Sequence, residues 1–187
     1  MNIFVLDNNP VQAAIQQCDK HVVKMIVESA QMLSTAHRIL DGIPHEEKTS
    51  NGRKIVRYRL SLFDDVYYQS VHPKHPSTLW TMESSSNYEW HWEHFVALCE
   101  EYTHRYGKVH STDKKLRTIL KVPPTNIPIG PLTPFRLAMG SNPECVDPEN
   151  PVQSYRNFYM TKQKRFKMVW SSRPVPEWFK KQLDFSA

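Results

Sequence analysis

Glycine is scarce, with five residues in 187. A chain so poor in glycine cannot assemble the Gly-rich turn that cradles nucleotide phosphates, which argues against a kinase or ATPase of the common kind. Cysteine is scarcer still. Cys18, Cys99 and Cys145 are odd in number and far apart, which disfavours a disulfide framework and suits a reducing cytoplasm. No apolar stretch approaches the ~20 residues that span a bilayer. The opening MNIFVLDNNP has no basic region ahead of its short apolar run and does not read as a signal peptide. There is no Cys-x-x-Cys, no HExxH and no GxSxG, so the simplest zinc and serine-hydrolase signatures are missing. Internal repeats and low-complexity tracts are also absent.

What is present is a globular composition, 40% hydrophobic and 23% charged, of a length that suits one domain. The net charge of +5 is unevenly spread. Residues 1–150 hold 16 Lys+Arg against 17 Asp+Glu, whereas residues 151–187 hold 8 against 2. Such asymmetry points to a polyanion, most often nucleic acid, or else to a solvated basic helix.

Along the chain, residues 2–6 suit a short strand or an extended segment. Asp7, Asn8 and Asn9 then offer capping side chains ahead of Pro10. Apolar residues recur at helical spacing from Val11 to Leu40, predicting one long helix that ends at Gly42 and Pro44. Residues 43–75 are the least regular, with a tight turn at Asn51-Gly52 and alternation over 56–62 that allows a short strand or an extended arm. Pro76 to Tyr106 reads as two helices, or one broken at Ser84–Asn87. A short helix is expected over 112–121. The five prolines of VPPTNIPIGPLTP then exclude regular structure and suggest a stiff wrap. Tyr155–Trp170 and Glu177–Leu183 look helical. The expected fold is therefore mainly α. It is one compact helical domain over 1–187 with a long N-terminal helix, and residues 151–187 form a basic, aromatic C-terminal portion.

Three constellations bear on chemistry. On the first helix His21, Lys24, Glu28, Gln31 and Thr35 share a face, with His21 and Glu28 two turns apart. A carboxylate beside an imidazole and an ammonium can transfer protons or stabilise a developing cation; the simpler reading is a Lys24–Glu28 ion pair in water. In YRNFYMTKQKRFKMVW, the aromatics Tyr155, Phe158, Tyr159, Phe166 and Trp170 interleave with Arg156, Lys162, Lys164, Arg165 and Lys167. Cations find phosphates while ring faces stack on unpaired bases; the rings can equally pack inward and leave the cations outside. Arg53, Lys54, Arg57 and Arg59 form a second candidate phosphate-contacting segment, or a solvated loop. Nine histidines raise the question of a metal, but His91, His94, His104 and His110 read as packing or surface residues. No metal or other cofactor is expected.

The opening MNIFVL, then a Pro, then AAIQQCDKHVVKMIVESAQML resembles the start of the pyrimidine-dimer DNA glycosylases of the phage endonuclease V type. It is closer still to their small phage and bacterial relatives. There, a short apolar segment precedes a helix with Asp-x-(His/Arg) and a Glu seven residues past the His; the matching positions are Asp19, His21 and Glu28. HPSTLW (75–80) and EEYTHRYGK (100–108) resemble a second element of the family. The matched stretches cover under half of the chain.

The resemblance implies a helical fold that binds duplex DNA and flips a nucleotide out of the stack. It implies attack of the chain's own α-amine on the sugar C1′, assistance by a glutamate on the first helix, and strand cleavage by β-elimination. An α-amine suits that role, with a reference pKa of about 7.7–8.0 against about 10.4 for lysine. Glu28 and His21 would take the family's glutamate and helix histidine, and Lys20 and Lys24 would contact phosphate. In the family, the amine is exposed by removing the initiator Met before a small residue. Here residue 2 is Asn, which keeps Met1. The nucleophile is then the Met1 amine or Lys24, or there is none and an activated water serves. The expected function is a DNA glycosylase with abasic-site lyase activity. The alternatives are a non-catalytic DNA-binding protein and a base-modifying transferase on the same scaffold.

Overall fold

The computed structural model describes residues 1–184, with side chains as far as residue 180. The remaining residues of the basic portion, 185–187, lie outside the described residues. The fold is mainly helical with one small sheet, and among the described residues no helix is long and apolar enough to cross a membrane.

The expected single helix from Pro10 to Leu40 is two helices, α1 (Pro10–Ile15) and α2 (Asp19–Asp41). Asn9 caps α1 by accepting from the N–H groups of Val11 and Gln12, with Pro10 in the first turn. Apolar periodicity continues through Gln16–Cys18, but the backbone there is bonded elsewhere. Arg105 donates to the carbonyls of Ile15 and Gln17, and Trp170 donates its indole N–H to that of Gln16. The Cys18 N–H goes to the Tyr159 hydroxyl at 2.9 Å. These long-range partners make the break tolerable, since they satisfy backbone groups that a continuous helix would have bonded. At the far end Gly42 is extended rather than left-handed. It is needed there because a Cβ would stand 2.3 Å from the Arg38 carbonyl oxygen.

Residues 43–75 open with a hairpin, β1 (Ile43–Lys48) paired antiparallel with β2 (Lys54–Arg59), turning at Asn51-Gly52 with Gly52 at φ 81°. Then follow α3 (Pro76–Glu83), α4 (Ser85–Tyr106) and α5 (Ser111–Leu120). Ser84 separates α3 from α4 and caps the latter through the Asn87 N–H. Helix α2 packs against α3, α4 and α5, and its buried face of Val22, Met25, Ile26, Ala30 and Leu33 runs through the core. Residues 122–134 have no regular structure and lie over the α3–α4 junction, where Trp80 and Asn87 reach Thr133 and Ser84 reaches the Pro131 carbonyl.

The C-terminal portion is less helical than expected. Helix α6 (Pro151–Met160) gives way to a 3-10 turn (Thr161–Lys164), and Phe166–Trp170 is irregular before α7 (Glu177–Asp184). Tertiary bonds take this chain out of the helix. Val169 accepts the Asp19 N–H, Ser171 bonds the Asp19 carboxylate, and Arg173 reaches Glu101.

The apolar opening, residues 2–6, is an extended segment with no strand partner. Ile3, Phe4, Val5 and Leu6 are all buried. Side chains satisfy its backbone: Gln17 donates to the Ile3 carbonyl, Arg156 to that of Leu6, and the Phe4 N–H goes to the Asn2 side chain.

Candidate functional site

Threading the opening segment through the core brings the N-terminus to the middle of α2. The Met1 amine lies 3.9 Å from Glu28 Oε2, and the Asn2 N–H donates to the same oxygen at 2.9 Å. Lys24 meets Glu28 Oε1 at 3.2 Å. The Asn2 side chain is clamped in turn, donating to the Ala138 carbonyl and accepting from Phe4, whose backbone takes a left-handed φ of 55°. The first two residues are therefore held on three sides, and the amine is presented to one carboxylate.

These groups open onto a cavity of about 630 Å³. Among the described residues five cationic groups line it, the Met1 amine, Lys20, Lys24, Lys162 and Arg165, against the single carboxylate of Glu28. Its apolar wall includes Phe4, Met25, Phe158 and Phe166. Cations and ring faces around one carboxylate can bind an anionic, partly aromatic ligand and act on it by proton transfer or amine attack. Of the face that helix periodicity gave, His21, Lys24 and Glu28 lie on this wall and Gln31 and Thr35 do not; Lys20, expected from the resemblance, joins them. Only folding added Met1, Lys162 and Arg165 to them.

His21 lines the cavity with its ring fixed in place. Its Nδ1 meets the Tyr159 hydroxyl at 2.7 Å, and its ring stacks on Phe4 at 4.7 Å. Burial, with Lys24 and Lys162 nearby, pulls its pKa down to about 4, so the ring is neutral at pH 7. His21 thus lines the cavity as a neutral imidazole held by Tyr159 and Phe4. His75 was named only within the HPSTLW match. It caps α3 by accepting the Ser77 N–H and is hydrogen-bonded to the Met1 backbone. Burial, the N-terminal amine and His72 lower its pKa, opposed by Glu28. Asn2 was missed as well. Its contacts span the chain to Ala138, and no local pattern encodes them.

Other expected binding residues lie elsewhere. Tyr155 and Tyr159 are buried in the core, Tyr155 donating to the Arg136 carbonyl, so neither ring face is free to stack on a base. Arg156 is committed to the Leu6 carbonyl and the Trp178 ring. Lys164 and Lys167 are exposed but do not line the cavity. The hairpin cations are partly answered across the sheet, Lys54 by Glu46 at 3.0 Å and Arg57 by Glu47 at 3.4 Å, while Arg59 lies near Asp64. Arg53 is exposed in the turn. The hairpin starts some 21 Å along α2 from Glu28, at about 1.5 Å per residue. It therefore does not belong to the cavity.

The histidines of α4 face the core. His91 bonds the Thr81 hydroxyl and His94 bonds Gln17. Burial pushes both pKa values down, that of His94 to about 3. Among the described residues no three His, Cys, Asp or Glu side chains are grouped to hold a metal ion. Comparison of the chain with protein-family models, curated proteins and solved structures finds no match.

Proposed function

We propose that the protein is a DNA glycosylase with abasic-site lyase chemistry, using the Met1 α-amine as nucleophile and Glu28 as its essential carboxylate. The observation that supports this reading most is the 3.9 Å approach of Met1 N to Glu28 in a cavity rich in cations. The resemblance of Asp19, His21 and Glu28 to the phage endonuclease V type points the same way.

The amine, as free base, adds to C1′ of a flipped nucleotide. The bond from C1′ to the base breaks and the base leaves with the electron pair; the attached nitrogen loses a proton, the C1′–O4′ bond opens with O4′ taking up a proton, and an iminium forms between Met1 and the ring-opened sugar. Glu28 stabilises the developing positive charge. It then accepts the C2′ proton, and loss of the 3′ oxygen cleaves the strand. Lys20, Lys24 and Arg165 hold the phosphates flanking the flipped nucleotide.

Borohydride trapping on a duplex with one abasic site tests this reading. An adduct that persists in Glu28→Gln and disappears when the N-terminus is blocked is the expected result. An adduct that survives blocking of the N-terminus removes Met1 from the role. Full strand cleavage by Glu28→Gln removes Glu28.

A further inference from the structure

Lys162 is the one buried lysine among the described residues. Its Nζ sits 3.4 Å from the Phe158 ring centroid and 5.9 Å from that of Phe4, and it lines the cavity. Among the described residues no carboxylate pairs with it. Burial and the like charges of Arg165 and Lys24 lower its pKa, opposed by the Cys145 thiol. Ring faces attract an ammonium but do not neutralise it. A buried cation without a counter-ion is costly, and two like charges beside it add to the cost. Elsewhere this chain does not tolerate such an arrangement. Arg38, also buried, bonds Asp64 and the carbonyls of Tyr58, Asp64, Tyr67 and Tyr68. Around Lys162 the missing partner is an anion.

We propose that Lys162, together with Lys24 and Arg165, forms a seat for a phosphate dianion. Besides the Met1 amine, four cationic side chains of the cavity face the one carboxylate that lines it among the described residues. The single charge of a phosphodiester leaves most of that excess unanswered. A terminal phosphomonoester, with a charge of about −1.5 to −2 at pH 7, answers more of it. The ligand class is therefore a nucleotide or nucleic-acid end bearing a terminal phosphate.

The seat also deepens the lyase reading, on which this consequence rests. In β-elimination Glu28 takes the C2′ proton and the bond from C3′ to oxygen breaks. The electron pair leaves on the 5′-phosphate of the next nucleotide, which passes from diester to monoester. Cations placed at that phosphate stabilise the charge as it develops.

The test is calorimetric titration of the full chain with inorganic phosphate, thymidine 5′-monophosphate and the dinucleoside TpT, which has a diester but no terminal phosphate. The two monoester-type anions are expected to bind, with TpT weaker by about tenfold or more. Lys162→Met should lose about tenfold in affinity for thymidine 5′-monophosphate, and Arg165→Ala severalfold. Lys54→Met, on the hairpin, should lose nothing. Circular dichroism checks the fold of each variant; should Lys162→Met unfold, Arg165→Ala and Lys24→Met decide. Equal affinity for TpT and the monophosphate, or unchanged affinity in the folded variants, overturns the seat. Phosphate binding that depends on Lys162 with no borohydride adduct keeps the seat and removes the lyase reading. An adduct without phosphate binding does the reverse.

Discussion

Two groups of cations meet the first turns of α2, and they are built in opposite ways. Asp19 faces one of them. There Arg105, its side chain wholly buried, bonds Asp19 at 2.9 Å and Glu101 at 2.7 Å, and Arg173 meets Glu101 at 2.8 Å. Two arginines are answered by two carboxylates, with backbone carbonyls taking the remaining Arg105 donors. Lys20, Lys24 and, across the cavity, Lys162 and Arg165 form the other group, where Glu28 is the only acid among the described residues. Adjacent residues of one helix thus serve different ends. Cations whose partners lie within the chain hold its segments together; on the proposed reading, the cations in excess of Glu28 are the ones directed at a ligand.

The largest expected break in this contrast is on the neutralised side. Glu101→Gln removes the shared acceptor of two arginines while Arg105 stays buried, and should cost about 3 kcal/mol or more of stability, read by urea unfolding. The same exchange at Glu28 should change stability by about 1 kcal/mol or less, because one amide oxygen can still accept the Asn2 N–H. On the proposed function its effect is on strand cleavage, where a loss of about a hundredfold or more is expected. Comparable unfolding in both variants would erase the distinction.

Acid separates the two regions next. The His21 pKa falls from 6.5 unfolded to about 4 folded. Between those values the unfolded chain binds the extra proton, so stability drops as pH falls through the window. His21→Phe should reduce that slope, leaving the share of the other buried histidines. Burial alone would raise Asp19 and Glu101, but Ser171 with Arg105, and Arg173 with Arg105, outweigh it and hold both carboxyls low. Their contribution is complete above the unfolded values of 3.8 and 4.5 and is lost as pH falls below them. Unfolding followed from pH 7 to 3 should show both windows, and Glu101→Gln should alter only the lower one. The smallest effect belongs to the hairpin. Breaking the exposed Lys54–Glu46 pair with Lys54→Met should shift stability by under about 1 kcal/mol and leave DNA affinity unchanged.

Much of the helical frame was legible because its signals are local. Asn9 and Pro10 start α1, Ser84 divides α3 from α4, and Gly107 ends α4 at φ 64°. The prolines of 122–134 keep that stretch irregular. The errors share a cause. The helix breaks at Gln16–Cys18 and after Met160 follow bonds from Arg105, Trp170, Tyr159 and Asp19, all distant in sequence. Tyr155 and Tyr159 looked like stacking platforms because alternation with cations is the same pattern whether rings face solvent or core. The cations of β2 seemed unopposed because Glu46 and Glu47 become their neighbours only through strand pairing.

For the candidate site, the sequence by itself determined one wall. A 3.6-residue period puts His21, Lys24 and Glu28 on one side of α2 whatever else the chain does. Tertiary structure decided which of these face an opening, placed the Met1 amine beside Glu28, and set Lys162 on the Phe158 ring with no counter-ion among the described residues. Periodicity fixes directions within one helix, but whether a charge is neutralised depends on the segments folded against it, and those come from opposite ends of the chain.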